Sequence, residues 1–232
     1  MHILGLQKLT LLDYPGTVAC TVFTGGCNMR CPFCHNSSLV LPERMTGAEL
    51  PVEELMSFLR KRQGILEGVA ITGGEPLLNP DIAELLHRIK ELGYKIKLDT
   101  NGTSPELLKS LVGEGLVDRV AMDIKNSPEL YPETVGVSGF SIAAVERSKD
   151  FLLTGAVDYE FRTTVVRGLH TAESLRGAAQ WIAGAKEYYL QQFKDSGELI
   201  LPEGLGAFDD KQMNELADAV MDIVPAVKLR GL

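Results

Sequence analysis

Several things are scarce in this chain, and each absence removes a class of protein. No apolar run approaches the roughly 18 residues that a membrane-crossing helix needs, so no membrane association is expected. The first residues, 1–13, are partly apolar but lack a basic segment followed by a cleavable hydrophobic one, which leads us to expect a cytoplasmic location. Lysine and arginine form no run longer than Arg60-Lys61-Arg62, and the formal charge is −8. A surface that tracks a phosphate backbone needs a basic stripe, so nucleic acid is not expected as a partner. Pro/Gly-rich linkers, low-complexity tracts and repeats are also missing, and residues 1–232 are expected to form a single domain.

Cysteine is scarce as well, but its placement is informative. Of four cysteines, three fall within the eight residues Cys27-Asn28-Met29-Arg30-Cys31-Pro32-Phe33-Cys34. Such crowding suits metal ligation in a reducing compartment better than a disulfide framework. The fourth, Cys20, lies inside the β-branched run 17–24 and reads as a small buried hydrophobe.

The rest of the chain alternates. Strands are expected at 17–24, 68–72, 95–99, 117–124, 157–166, 187–192 and 226–229, with helices at 50–63, 81–92, 105–112, 141–153, 172–183 and 211–223. The stretch 128–139 is the longest irregular one. These strands read as lacking a clean polar face, the mark of a parallel sheet covered by helices. Six strand–helix units are too few for a closed eightfold barrel. The expected fold is therefore α/β: an incomplete (β/α)6 barrel of parallel strands with helices outside.

In such folds the chemistry collects at the C-terminal ends of the strands. Here the first strand runs into the cysteines. The next ends carry Thr72-Gly73-Gly74-Glu75-Pro76, Asp99-Thr100-Asn101-Gly102, Asp123-Ile124-Lys125, then Arg162-Thr163 and Gln191-Gln192. Taken singly, Gly-Gly-Glu-Pro and Asp-Thr-Asn-Gly are also turn signatures, and Asp123 with Lys125 is also an ordinary ion pair. Six polar ends aimed at one mouth are harder to read as solvated surface.

Thiolates hold iron–sulfur clusters, and a cubane has four irons to ligate. Three cysteines on one loop leave one iron open, where a small molecule can bind by the same logic as an open catalytic zinc. Gly25 and Gly26 would let the loop turn, and Arg30 would tune the sulfurs by hydrogen bonding. The competing reading is structural zinc, which takes four ligands; His35 would be the fourth, awkwardly adjacent to Cys34.

The cysteine triplet, with Phe33 before its last member, resembles the defining motif of the radical S-adenosylmethionine superfamily. Gly73-Gly74-Glu75-Pro76 resembles that superfamily's segment for the methionine amino group. The resemblance implies a [4Fe-4S] cluster on Cys27, Cys31 and Cys34, with S-adenosylmethionine chelating the open iron and being cleaved reductively to a 5′-deoxyadenosyl radical. It would place Glu75 on the ammonium, Phe33 and His35 beside the adenine, and Lys125 and Arg162 on the carboxylate or ribose. Within the superfamily, Cys34-His35-Asn36, Leu12-Asp13-Tyr14-Pro15-Gly16 and Tyr189-Leu190-Gln191-Gln192-Phe193 resemble activases of glycyl-radical enzymes. The likeness is greatest to those of anaerobic ribonucleoside-triphosphate reductase. By the same resemblance, Asp99, Asn101, Asp123 and Lys125 belong to cosubstrate-binding segments, and Asp99 and Asp123 would enclose a monovalent cation.

Two departures are visible. Where pyruvate formate-lyase activase has a histidine near the last strand, Gln191 or Gln192 would have to serve. The cysteines of an inserted ferredoxin-like domain are missing. The implied partners are a glycyl-radical enzyme, the anaerobic ribonucleotide reductase first among them, and a flavodoxin- or ferredoxin-like electron donor. The alternatives are activation of another glycyl-radical enzyme and radical chemistry on a small molecule.

Overall fold

A computed structural model describes residues 1–45, 48–195 and 197–232. Among them, eight strands form one sheet in the order β1-β2-β3-β4-β5-β6-β7-β8. They are β1 (Ile3–Thr10), β2 (Ala19–Thr24), β3 (Gly68–Gly73), β4 (Lys95–Thr100), β5 (Arg119–Asp123), β6 (Asp158–Val165), β7 (Tyr188–Gln192) and β8 (Val227–Arg230). From β2 to β8 every neighbouring pair is parallel, while β1 runs antiparallel to β2. The outer edges of β1 and β8 do not pair with each other, so the barrel stays open.

A helix follows each strand from β2 to β7, giving the expected six units. The one-turn α1 (Ser37–Val40) and α2 (Val52–Arg62) follow β2, α3 (Ile82–Glu91) follows β3 and α4 (Pro105–Gly113) follows β4. The one-turn α5 (Tyr131–Thr134), inside the stretch expected to be irregular, and α6 (Ala143–Leu153) follow β5. Then α7 (Ala172–Trp181) follows β6 and α8 (Asp210–Met221) follows β7. Each long helix turns one apolar stripe to the sheet, as Ile82, Leu85, Leu86 and Ile89 of α3 do. Thr171 and Asp209 open α7 and α8 with reciprocal capping boxes, which satisfy otherwise orphaned amide donors. No described helix is long and apolar enough to cross a membrane.

The structure corrects the reading of the strands. Residues alternate across a strand, and Ile96 and Leu98, Val120 and Met122, Tyr159 and Phe161 are all fully buried in the hydrophobic core. The alternate positions are charged apart from Ala121: Lys97 and Asp99, Arg119 and Asp123, Glu160 and Arg162. These side chains meet across the sheet as ion pairs, with Arg119 of the neighbouring β5 on Glu160 at 3.0 Å and Arg230 of β8, two strands away, on Glu160 at 2.9 Å. The strands do have a polar face. It lines the barrel interior rather than meeting bulk water.

β1 itself was not foreseen. It is largely half-exposed, and its pairing with β2 shifts register twice, so it lacks the clean alternation that marks a strand.

Candidate active site

The C-terminal ends of β2 to β7 converge on one cavity of about 280 Å3. Cys27, Cys31 and Cys34 line it, with Phe33 and His35. Gly73 and Gly74 contribute from β3 and the residue after it, Asp99 and Asn101 from the end of β4, Asp123 and Lys125 from the end of β5. Arg162 and Thr164 come from β6 and Gln191 from β7. Phe23, Met29 and Val40 add an apolar wall.

The cysteine loop is fixed from several sides. Gly26 N–H donates to the Leu39 carbonyl at 2.7 Å, and Arg30 N–H donates to the Val135 carbonyl at 2.8 Å. Leu201 N–H, from the β7–α8 connection, donates to the Pro32 carbonyl at 3.0 Å. Arg30 does not reach the sulfurs. Its guanidinium spends Nη1 on the carbonyls of Cys27 and Met29, at 2.6 and 2.8 Å, and so braces the turn. Of the two preceding glycines only Gly26 has a positive φ, 87°.

The Gly73-Gly74 pair is required by close approach. Gly74 N–H donates to the Thr24 carbonyl at 2.8 Å and Glu75 N–H to the Gly26 carbonyl at 2.7 Å, strapping the β3 end to the cysteine loop. A Cβ on Gly73 would lie 2.2 Å from the Thr24 carbonyl oxygen, and one on Gly74 would lie 2.0 Å from that of Gly26. No side chain fits at either position.

Glu75 does not line the cavity. Its carboxylate is buried and accepts from Thr100 Oγ1 at 2.8 Å, Asn101 N–H at 2.6 Å and Leu77 N–H at 3.1 Å. Burial outweighs these donors and pushes its carboxyl from the ordinary 4.5 up to about 7. Protein donors take three of its roughly four lone-pair sites, so Glu75 braces the ends of β3 and β4 from outside the cavity lining. Gln192 is likewise turned away, since neighbouring residues of a strand face opposite sides. Its Nε2 donates to the Phe208 carbonyl at 2.6 Å, and Gln191 is the one that lines the cavity. Thr163 also points outward, with its hydroxyl on the Ile124 carbonyl at 2.6 Å.

The charges form one connected group. Arg162 bridges the two aspartates, with Nη1 3.0 Å from Asp99 Oδ2 and Nη2 2.9 Å from Asp123 Oδ1. Lys125 Nζ lies 2.9 Å from Asp123 Oδ2, and Lys97 Nζ lies beside Asp99. Burial opposes ionisation of Asp123, but Arg162 and Lys125 outweigh it and hold its carboxyl well below the usual range. Arg162 thus stands between Asp99 and Asp123, the two carboxylates to which the resemblance assigned a monovalent cation. His170, fully buried, holds the Lys125 backbone in place through Nε2, 2.8 Å from the Lys125 carbonyl oxygen.

One carboxylate in the cavity, that of Asp13, has no cation beside it among the described residues. Asp13 accepts from Thr21 Oγ1 at 2.5 Å and is otherwise open to the cavity. It lies in the Leu12-Asp13-Tyr14-Pro15-Gly16 segment, but no local signal in the sequence marks it as a lining residue.

Comparison with known proteins gives this arrangement a family. The model of the radical SAM superfamily matches residues 21–151, which takes in the cysteine triplet and the glycine pair. The chain belongs to the radical SAM superfamily. It is 34% identical, over 82% of this chain and 79% of the other, to a Methanocaldococcus jannaschii protein provisionally named a glycyl-radical enzyme activating enzyme. It is 33% identical to the pyruvate formate-lyase-activating enzyme of Clostridium pasteurianum, over 54% of this chain and about half (52%) of that enzyme. Among solved structures, a radical SAM methyltransferase from Sphaerobacter thermophilus superimposes with a TM-score of 0.72 at 16% identity, over 94% of this chain and 67% of that one. That last likeness concerns the fold.

Radical SAM proteins carry a [4Fe-4S] cluster and S-adenosylmethionine, and the residues here fit both. Three thiols line one cavity, and among the described residues no group of three His, Cys, Asp or Glu side chains converges on a single ion. Three thiols fit three irons of one cluster, whereas a closed zinc centre takes four protein ligands. Burial pushes the Cys31 thiol up to about 12 and also raises Cys27 and Cys34, so coordination by metal is what would make them thiolates. Cys20 is fully buried in β2, away from this cavity, as expected.

Proposed function

We propose that this radical SAM protein is an activase that abstracts a hydrogen atom from a backbone glycine of an anaerobic ribonucleoside-triphosphate reductase. In this reading residues 1–232 form one radical SAM domain and act in the cytoplasm. Cys27, Cys31 and Cys34 hold three irons of a [4Fe-4S] cluster. When bound, the cluster and S-adenosylmethionine supply a 5′-deoxyadenosyl radical from a one-electron reduction, the electron coming from a flavodoxin- or ferredoxin-like donor.

The chain's own groups then position the cosubstrate. The Gly73-Gly74 backbone admits its methionine end, and Phe33 and His35 flank the adenine. Lys125 and Arg162 present positive charge to the carboxylate and ribose. Gln191 stands where the resemblance had offered Gln191 or Gln192. A separate cation between Asp99 and Asp123 is not needed, because Arg162 already offsets their repulsion.

The observation that carries the activase reading is the likeness to the M. jannaschii protein along most of both chains. The open sheet supports it: with the edges of β1 and β8 unpaired, a peptide loop has a lateral way in. The test is anaerobic reconstitution, then incubation with S-adenosylmethionine, a reductant and the anaerobic reductase, watching for a glycyl-radical doublet by electron paramagnetic resonance. No doublet, together with multiple turnover on a small molecule, would overturn the assignment.

A further inference from the structure

Asn101 is held more tightly than a cosubstrate contact requires. Its side chain is buried, and its Oδ1 accepts from both the amide and the hydroxyl of Thr103, at 3.0 and 2.7 Å. The Thr103 N–H fixes which way the amide is turned, because the NH2 group cannot face a donor, and the hydroxyl, which can donate or accept, follows it. Nδ2 is thereby aimed at the cysteine loop. It lies 2.9 Å from Asn28 Oδ1 and 3.8 Å from Cys27 Sγ. Asn28 Nδ2 in turn donates to Thr103 Oγ1 at 2.9 Å, closing a ring of three side chains.

The backbone of Asn101 is fixed just as firmly. Its N–H donates to Glu75 Oε2 at 2.6 Å, and Thr100 Oγ1 donates to Glu75 Oε1 at 2.8 Å. Glu75 N–H is itself tied to the Gly26 carbonyl, at the start of the cysteine loop. The end of β4, the end of β3 and the cysteine loop therefore form one hydrogen-bonded unit, with Asn101 at its centre. Cys27 Sγ also receives the Met29 N–H at 3.4 Å. Among the described residues, Cys27 is the one of the three thiols that has a side-chain donor.

We propose that Asn101 is a positioning residue acting on the Cys27 sulfur: its Nδ2–H donates to that thiolate and raises the reduction potential of the cluster. This rests on the assignment of Cys27, Cys31 and Cys34 as cluster ligands. Ligand sulfurs carry more negative charge in the reduced cluster, so an N–H aimed at one of them stabilises the reduced form preferentially. Glu75 serves the same end indirectly, by placing the Asn101 backbone.

The test uses the reconstituted wild-type protein and three variants, Asn101→Ala, Asn101→Ser and Asn28→Ala. Iron content is measured first, then the midpoint potential of the cluster by a titration followed with electron paramagnetic resonance. Both Asn101 variants remove the donor to sulfur. Asn28→Ala breaks the ring but leaves that donor in place. The expected result is four irons per chain throughout, a potential shifted downward in both Asn101 variants, and a wild-type potential in Asn28→Ala. Wild-type potentials in the Asn101 variants would overturn the proposal. So would an equal shift in Asn28→Ala, or loss of iron from both Asn101 variants, since the residue would then build the loop rather than tune the sulfur. A wild-type protein that takes up no four-iron cluster would instead sink the cluster assignment itself.

Discussion

Glu75→Gln offers a quantitative test of the bracing role. The substitution keeps the shape but leaves one acceptor for donors that now use two oxygens, so one of the Leu77 and Asn101 amides loses its partner. An orphaned buried donor costs about 1–3 kcal/mol. Against this, the wild-type carboxylate carries a burial penalty that glutamine escapes. Its carboxyl is raised from 4.5 to about 7. A raised acid favours the folded state while the group is protonated, so its contribution is complete below about pH 4.5 and is lost as pH rises through about 7. Between pH 5.5 and 8 the loss amounts to about 2 kcal/mol, at about 1.4 kcal/mol per unit of pH over the steep part. Glutamine does not titrate. The wild-type protein should therefore be the more stable of the two at pH 5.5, and its advantage should shrink by about 2 kcal/mol, vanishing or reversing, by pH 8. Urea unfolding of both metal-free proteins at the two pH values, under anaerobic reducing conditions, measures this difference and cancels the other titrating groups. A pH-independent difference, or one that grows in favour of the wild type at pH 8, would refute the reasoning. It would mean that the three donors hold the carboxylate comfortably ionised.

Three further outcomes follow from the geometry. Cys31→Ala should abolish both iron uptake and cleavage of S-adenosylmethionine, whereas Cys20→Ala should spare both; iron analysis and release of 5′-deoxyadenosine decide. Gly74→Ala places a Cβ 2.0 Å from the Gly26 carbonyl oxygen, so the strap must open; binding of S-adenosylmethionine, measured calorimetrically on the reconstituted protein, should weaken at least tenfold, a change of about 1.4 kcal/mol. Arg162→Met removes the bridge between Asp99 and Asp123, and breaking a buried pair by removing one partner costs about 3–5 kcal/mol; a loss below 1 kcal/mol in urea unfolding would show that the aspartates do not depend on it.

The sequence was most legible where a pattern is long. The alternation of apolar strands and helices of ten or so residues brought out seven of the eight strands and the six long helices, because periodicity needs only the element itself. It failed where the deciding fact lies elsewhere in the chain. β1 is recognisable only once β2 is there to pair with it. Gln191 and Gln192 differ by one position, and the pleat alone decides which faces the cavity. Glu75 sits in a segment whose resemblance suggested a ligand, yet the amides that consume its oxygens come from β4 and from the turn after Pro76. Asp13 reaches the cavity from the β1–β2 connection, a placement no local pattern announces.

The polar interior connects these points. Lys95-Ile96-Lys97-Leu98-Asp99 and Arg119-Val120-Ala121-Met122-Asp123 alternate by the rule for a half-solvated strand, yet beyond the exposed Lys95 their polar side meets the ion pairs of the barrel interior. Buried ion pairs are poor stabilisers, and packed apolar side chains would serve the fold as well or better. The distribution of partners along the barrel gives these charges a different role. Toward the starts of β5 and β6 they are used up among themselves: Glu160 is held by Arg119, and Arg230 reaches it from the end of β8 while also lying over the Tyr189 ring at 3.8 Å. Toward the cysteines, Arg162 and Lys125 are anchored by Asp99 and Asp123 yet still line the cavity, and Asp13 has no cation beside it among the described residues. Lys97, beside Asp99, links the lower charges to the upper ones, and the upper ones are left facing a space that only a charged ligand would complement. A barrel filled with leucine would fold, but it would present nothing to a sulfonium cosubstrate carrying both an ammonium and a carboxylate.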